Sequence, residues 1–255
     1  TKRLLIAVAL FIGAFLIYFI VMSSFSPGRE LRNIKSKYGI SQAKDDQVDT
    51  RFFTDSAYVS LYKEKAFLQA RVAMAETDSV SLSLNIADST AILEINGVKV
   101  HAAKMSKLKV SRILLSGDQI AISSMFSTPL TIVRDFSTIR KEPLMIKMAP
   151  KDTSEFKPDI IPDTSDFEPV NYILDTDCGL RIFVYQEETT KASDRRRLFF
   201  FDLNDRLRTL WRSLKEVLVF KIPDYSPFIK MRLPKADAKI LYRAIPRNGQ
   251  IAVYI

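Results

Sequence analysis

The chain has 255 residues, enough for one or two folded domains. Its composition is 47% hydrophobic, 26% charged and 11% aromatic, which suits a chain able to bury a sizeable core. One His (His101) and one Cys (Cys178) exclude a His/Cys metal cluster, a zinc finger and an internal disulfide. The seven glycines are too scattered for a phosphate-cradling loop.

After Thr1-Lys2-Arg3, residues Leu4 to Met22 run without a charge. At 1.5 Å per residue they cover roughly 28 Å, close to the hydrocarbon thickness of a bilayer. The stretch is longer than the apolar region of a signal peptide, so it reads as a single-pass transmembrane helix over residues 4–22. A cut near Ser23-Ser24 stays open, because Val21-x-Ser23 is a passable small-residue site. Arg29, Arg32, Lys35 and Lys37 outnumber Lys2 and Arg3, and a raw count of cations favours an exported N-terminus. A short basic tail (1–3) in the cytoplasm, with the body in the periplasm, is nevertheless the expected arrangement, since a body of this length translocates largely regardless of charge. Ala9-x-x-x-Gly13 is a small-residue spacing at which a second membrane helix can approach.

Residues 23–54 are polar, broken by Pro27-Gly28, and read as a stalk whose cations can touch anionic lipid. Residues 55–149 read as a β-rich module. Ala57 to Ala75 fits helix or strand. Val80, Leu82, Leu84 and Ile86 then alternate with polar residues, and Asn96-Gly97 marks a two-residue hairpin between Ala91–Ile95 and Val98–His101. Further strands are expected at Leu108–Leu115, Gln119–Met125, Leu130–Val133 and Leu144–Met148. Residues 150–170 form a Pro-rich acidic linker with two similar phrases, Asp152-Thr-Ser-Glu-Phe-Lys-Pro158 and Asp163-Thr-Ser-Asp-Phe-Glu-Pro169. Phe156 and Phe167 there are candidates to enter a partner's groove.

Residues 171–255 read as a small basic α+β domain. A hairpin is expected around Asp175-Thr-Asp-Cys-Gly179. A helix capped by Asp202 or Asn204 and running to about Phe220 would turn Leu203, Leu207, Leu210, Trp211, Leu214 and Leu218 to the core. Pro234 opens a second helix, Lys235 to Arg243, with Ala236, Ile240 and Leu241 inward, and Ile251–Ile255 closes the domain as a strand. The fold class is thus a single N-terminal transmembrane helix, an all-β module and a small α+β domain.

Arg195-Arg196-Arg197 followed by Phe199-Phe200-Phe201 is the densest basic patch. An exported body does not meet nucleic acid, so anionic lipid, peptidoglycan carboxylates or an acidic protein are better partners for it, the acidic linker included. Cys178 would need a base to become a nucleophile, and His101 lies far away in sequence. Asp45-Asp46 and Glu187-Glu188 lie in polar loops that give their pKa values no reason to separate. No complete catalytic constellation, cofactor site or metal site is expected.

Met231-Arg232-Leu233-Pro234, Asp237-Ala238, Leu241-Tyr242, Ile245-Pro246, Gly249 and Val253-x-Ile255 resemble the tail of L,D-transpeptidase (YkuD-like) domains, which cross-link bacterial peptidoglycan. Tyr172 to Gln186 is similar to their opening hairpin. The position matching the family's catalytic Cys is Lys230, Ile229 stands where Gly is expected, and the family's histidines are missing. The resemblance implies a degenerate, peptidoglycan-binding domain, with Lys230 and Arg232 at its former site. The low Gly content and tandem Asp-Thr-Ser phrases are also similar in style to envelope proteins of Bacteroidota-type bacteria. The reading that follows is a non-enzymatic accessory or scaffold subunit in the inner membrane, with an integral-membrane or envelope protein as partner.

Overall fold

A computed structural model describes residues 2–39, 56–141, 168–188 and 192–255. The expected strand at Leu144–Met148, Asp45-Asp46, and the linker motifs at Phe156 and Phe167 lie outside the described residues.

The first helix, α1 (Lys2–Tyr38), does not stop at the end of the apolar stretch. It runs through Pro27, where a missing N–H and a ring clash ordinarily cost about 3 kcal/mol. Docking offsets that cost: Ser26 and Ile34 are buried, and Leu31 and Tyr38 pack on the main core. Arg29 donates to the carbonyl of Ile222 at 2.5 Å and lies 3.6 Å from Asp224. The expected stalk is therefore corrected over residues 23–38, which are an integral helix of the body. By contrast, Leu4, Leu10, Phe11 and Ile17 are exposed, and among the described residues α1 is the one helix long and apolar enough to cross a membrane.

The body follows as α2 (Ser56–Ala75), β1 (Val80–Asn85), β2 (Thr90–Ile95), β3 (Val98–Lys104), β4 (Lys107–Val110), α3 (Arg112–Ser116), α4 (Gln119–Met125) and β5 (Leu130–Ser137). Then come β6 (Asn171–Thr176), β7 (Arg181–Gln186), α5 (Ala192–Leu218), β8 (Phe228–Leu233), α6 (Lys235–Ala244) and β9 (Gln250–Tyr254). The ambiguous segment after Ala57 is helix. The expected strand at Gln119–Met125 is also helix, because Asp118 caps it by accepting from the N–H groups of Ile120 (3.1 Å) and Ala121 (3.3 Å). Leu108–Leu115 divides into β4 and α3.

The nine strands of the described residues form one mixed sheet in the order β3-β2-β1-β9-β5-β6-β7-β8-β4. The two expected modules are not separate in it. Strand β9, from the C-terminus, lies between β1 and β5, parallel to the first and antiparallel to the second, and β4 pairs with β8. One hydrophobic cluster joins Leu84, Leu93 and Leu130 with Ile182, Met231 and Ile251. The reason is visible at the corner between β3 and β4. These strands are the two edges of the sheet, yet only Met105 and Ser106 separate them, a span of at most about 11 Å. The edges must meet, so the sheet curls on itself around a shared core. Met105 donates its N–H to Ser89 on one side of the corner, and Ser106 donates to Arg232 on the other.

Helix α6 crosses this curl between β8 and β9. Ala238, Leu241 and Tyr242 are buried, while Ala236 and Ile240, expected inward, face out. The Tyr242 ring packs 4.9 Å from Tyr172, and its hydroxyl donates to Asp135 at 2.8 Å.

Candidate functional site

Helix α5 begins at Ala192, earlier than Asp202, so Arg195, Arg196 and Arg197 lie exposed in its first turns rather than beside a loop. Its orientation reverses the expectation. Phe199, Phe200, Leu203, Leu207, Leu210, Trp211 and Leu218 face solvent, with Leu207 at 54% and Trp211 at 60% exposure. The opposite face is on the sheet. Leu198 and Phe201 pack on Ile173, Phe183 and Tyr185, and Val217 is fully buried.

Polar pairs fix that inner face. Arg181 donates to Asp205 at 2.7 Å and to Asp175 at 2.9 Å, and Arg208 reaches Asp205 at 3.0 Å. The Tyr185 hydroxyl donates to Asp202 at 2.9 Å, and the Arg208 guanidinium sits 3.5 Å over the ring of Phe136. Burial pushes the Asp205 carboxyl up, but the hydrogen bonds and charges of Arg181 and then Arg208 outweigh it and hold it below its ordinary value. A buried carboxylate must be paired, so this network, not the leucine stripe, decides which side of α5 faces in. The sequence signal was the polar spacing Asp202, Asp205, Arg208, Thr209 opposite the leucines, at helical period.

Between α1, α5 and strands β6 to β8 lies a cleft of about 530 Å³. Phe19, Ser23 and Ser26 line it from α1, Arg206, Arg212 and Ser213 from α5, and Phe183, Phe228 and Lys230 from the sheet. The Ser23 and Ser26 hydroxyls are buried without a hydrogen-bond partner among the described residues. Lys230 lies 4.3 Å from the Phe183 centroid and 5.4 Å from that of Phe228. Among the described residues it has no ion-pair partner, and neither have Arg206 and Arg212. Burial lowers the Lys230 ammonium below its ordinary value, against a smaller opposing pull from Asp202. Asp202, Glu216 and Asp224 line the same cleft, so it presents charges of both signs beside the Phe183 and Phe228 rings.

Of the other candidate residues, Gly13 lies on α1 with open space around the position of a Cβ, and Ala9 lies one turn before it. Arg232 is half-buried on β8, its carbonyl engaged by Ser106. The structure gives Cys178 and His101 different partners. The Cys178 thiol is 3.3 Å from the Thr176 hydroxyl and is pushed up by burial, whereas His101 Nε2 is 3.0 Å from Asp237. No family model, curated protein or solved structure matches the chain.

Proposed function

We propose that this protein is a membrane-anchored, non-enzymatic accessory or scaffold subunit of a bacterial envelope complex, with its body on the periplasmic side of the inner membrane. One observation carries the reading: α5, braced on the sheet by buried ion pairs, turns a continuous apolar stripe from Phe199 to Leu218 outward. Contiguous exposed apolar faces mark interaction sites. The occupant that fits is an apolar helix of an integral-membrane partner, because α1 ties the body rigidly to the same membrane and exposes Gly13 to a second helix. The test is a photo-crosslinking residue at Leu203 or Leu207 of the full chain in cells, with Lys99 on β3 as the control position. A discrete adduct to a membrane protein at the α5 positions supports the reading. Adducts no stronger than at Lys99 remove it.

A second reading is a peptidoglycan-binding, degenerate L,D-transpeptidase-like protein. It is favoured by the placement of Lys230, the residue matching the family's catalytic position, against a cleft that Arg206 and Arg212 also line. Full-length protein in detergent should then sediment with purified sacculi, less so at high salt, and Lys230→Glu should reduce the sedimented fraction. Protein that stays in the supernatant at low salt rules this out.

A further inference from the structure

The helix α5 ends in an unusual way. Lys221 donates its N–H to Glu216 at 3.0 Å and Phe220 donates to Val217 at 3.0 Å, the hydrogen-bond pattern of a Schellman C-terminus. The residue at the left-handed position of that motif is normally glycine. Here it is Phe220, with φ +56°. A bulky side chain is strained at this φ, and with Phe220 81% exposed, burial in the body does not repay it. Leu218 and Val219 beside it are exposed too, at 59% and 66%.

Among the described residues, Phe220 meets the ring of Tyr18, at 6.0 Å between centroids. Tyr18 belongs to the uncharged stretch of α1, near the end from which the body emerges. Arg29 holds the same turn against α1 through the carbonyl of Ile222 and the carboxylate of Asp224. The tip is therefore fixed at the depth of the last apolar turns of α1. Lys221 adjoins it, and Lys215 lies one helical turn before it, where ammonium groups would meet lipid headgroups.

We infer that the Leu218-Val219-Phe220 turn inserts into the bilayer beside α1 as a second membrane contact; the inference rests on reading α1 as a membrane anchor. A single helix leaves a body free to swivel about the helix axis. A second contact at the side of α1 fixes that rotation, and with it the direction in which the outward stripe of α5 points.

The test uses the full chain in vesicles of phosphatidylcholine and phosphatidylglycerol, with and without brominated acyl chains. In a Trp211→Phe background, the sole indole is placed by Phe220→Trp, by Val219→Trp, or by Phe11→Trp within the apolar stretch of α1. The expected result is a blue-shifted emission for Phe220→Trp and Val219→Trp, and a loss of intensity in brominated vesicles comparable to that of Phe11→Trp. If Phe11→Trp is quenched and the other two are not, the inference is overturned while the anchor stands. A blue-shifted but unquenched indole at the turn means that protein covers it, which also overturns the inference. If none of the three is quenched, the anchor reading falls and takes the inference with it.

Discussion

Arg181 of β7 and Asp205 of α5 meet at 2.7 Å with most of both side chains buried, and their pairing sets the roll of a 27-residue helix on the sheet. Removing one member of a buried pair leaves the other charge uncompensated, a loss of about 3–5 kcal/mol. Arg181→Met should lower stability toward that order, leaving Asp205 to Arg208 at 3.0 Å and Asp175 to Arg134 at 3.9 Å. Denaturant titration of the full chain in detergent measures it, and a loss below about 1 kcal/mol would mean that apolar packing, not the ion pairs, orients α5.

The same pair predicts a pH dependence. Asp205 is held below its ordinary carboxylate value, so the unfolded chain takes up its proton first as the pH drops. The stabilisation is complete above roughly pH 4, the unperturbed aspartate value, and is lost as the pH falls through the lowered folded value. Asp205→Asn should start less stable at neutral pH and show a flatter decline in acid. Parallel curves for the two proteins between neutral and acid pH would remove Asp205 from this account.

Ile34 tests whether α1 belongs to the body. It is 5% exposed and joins the cluster that contains Leu82 and Ile182. Ile34→Ala should cost about 2–5 kcal/mol, as for a buried aliphatic truncation, whereas Phe11→Ala, exposed on the apolar stretch, should leave body stability unchanged. Equal effects at the two positions would restore a flexible stalk.

The α5 stripe makes the opposite kind of prediction. Trp211 is 60% exposed, with the Lys215 ammonium 5.6 Å from its ring. Trp211→Lys should therefore change stability by no more than about 0.5 kcal/mol, while reducing any adduct formed from Leu207. A large loss of stability would show that the stripe is part of the core after all.

How far the sequence reveals this fold depends on where each determinant lies. Asn96 and Gly97, at φ +50° and +77°, mark their hairpin because the turn demands those residue types locally. The end of α6 at Pro246 is legible for the same reason; the alternation from Val80 to Ile86 reveals the strand but not that Ser81 and Ser83 are buried as well. Gln119–Met125 misleads because a short apolar run fits helix or strand, and the cap that decides it, Asp118, sits in a Ser-Gly-Asp phrase typical of turns. The polar spacing on α5 competes with its leucine stripe, and the partners that decide between them, Arg181 and Asp175, lie on strands that sequence alone does not place beneath it. The β3–β4 corner hides the union of the two halves in the same way, since β8, β9 and β4 meet only after the sheet has curled. Lys230 was named through a resemblance in the tail. Its place among Phe183, Phe228 and two arginines that have no ion pair among the described residues needed the folded chain.

The effect of that setting can be measured. Burial disfavours the Lys230 ammonium in the folded state, while the Phe183 and Phe228 rings attract it, an effect of about 0.5–2 kcal/mol. The unfolded chain keeps its lysine proton up to roughly pH 10.4, so between the lowered folded value and that pH the unfolded state binds more protons and stability rises with pH. Lys230→Met keeps the apolar stem, offers sulfur to the rings and carries no charge to desolvate. Its denaturation midpoint should equal or exceed that of the unsubstituted chain at neutral pH, and any advantage should shrink as the pH climbs through that window. A midpoint that falls at neutral pH would show that the rings hold the ammonium more strongly than burial opposes it. The cleft would then be organised around a permanent positive charge.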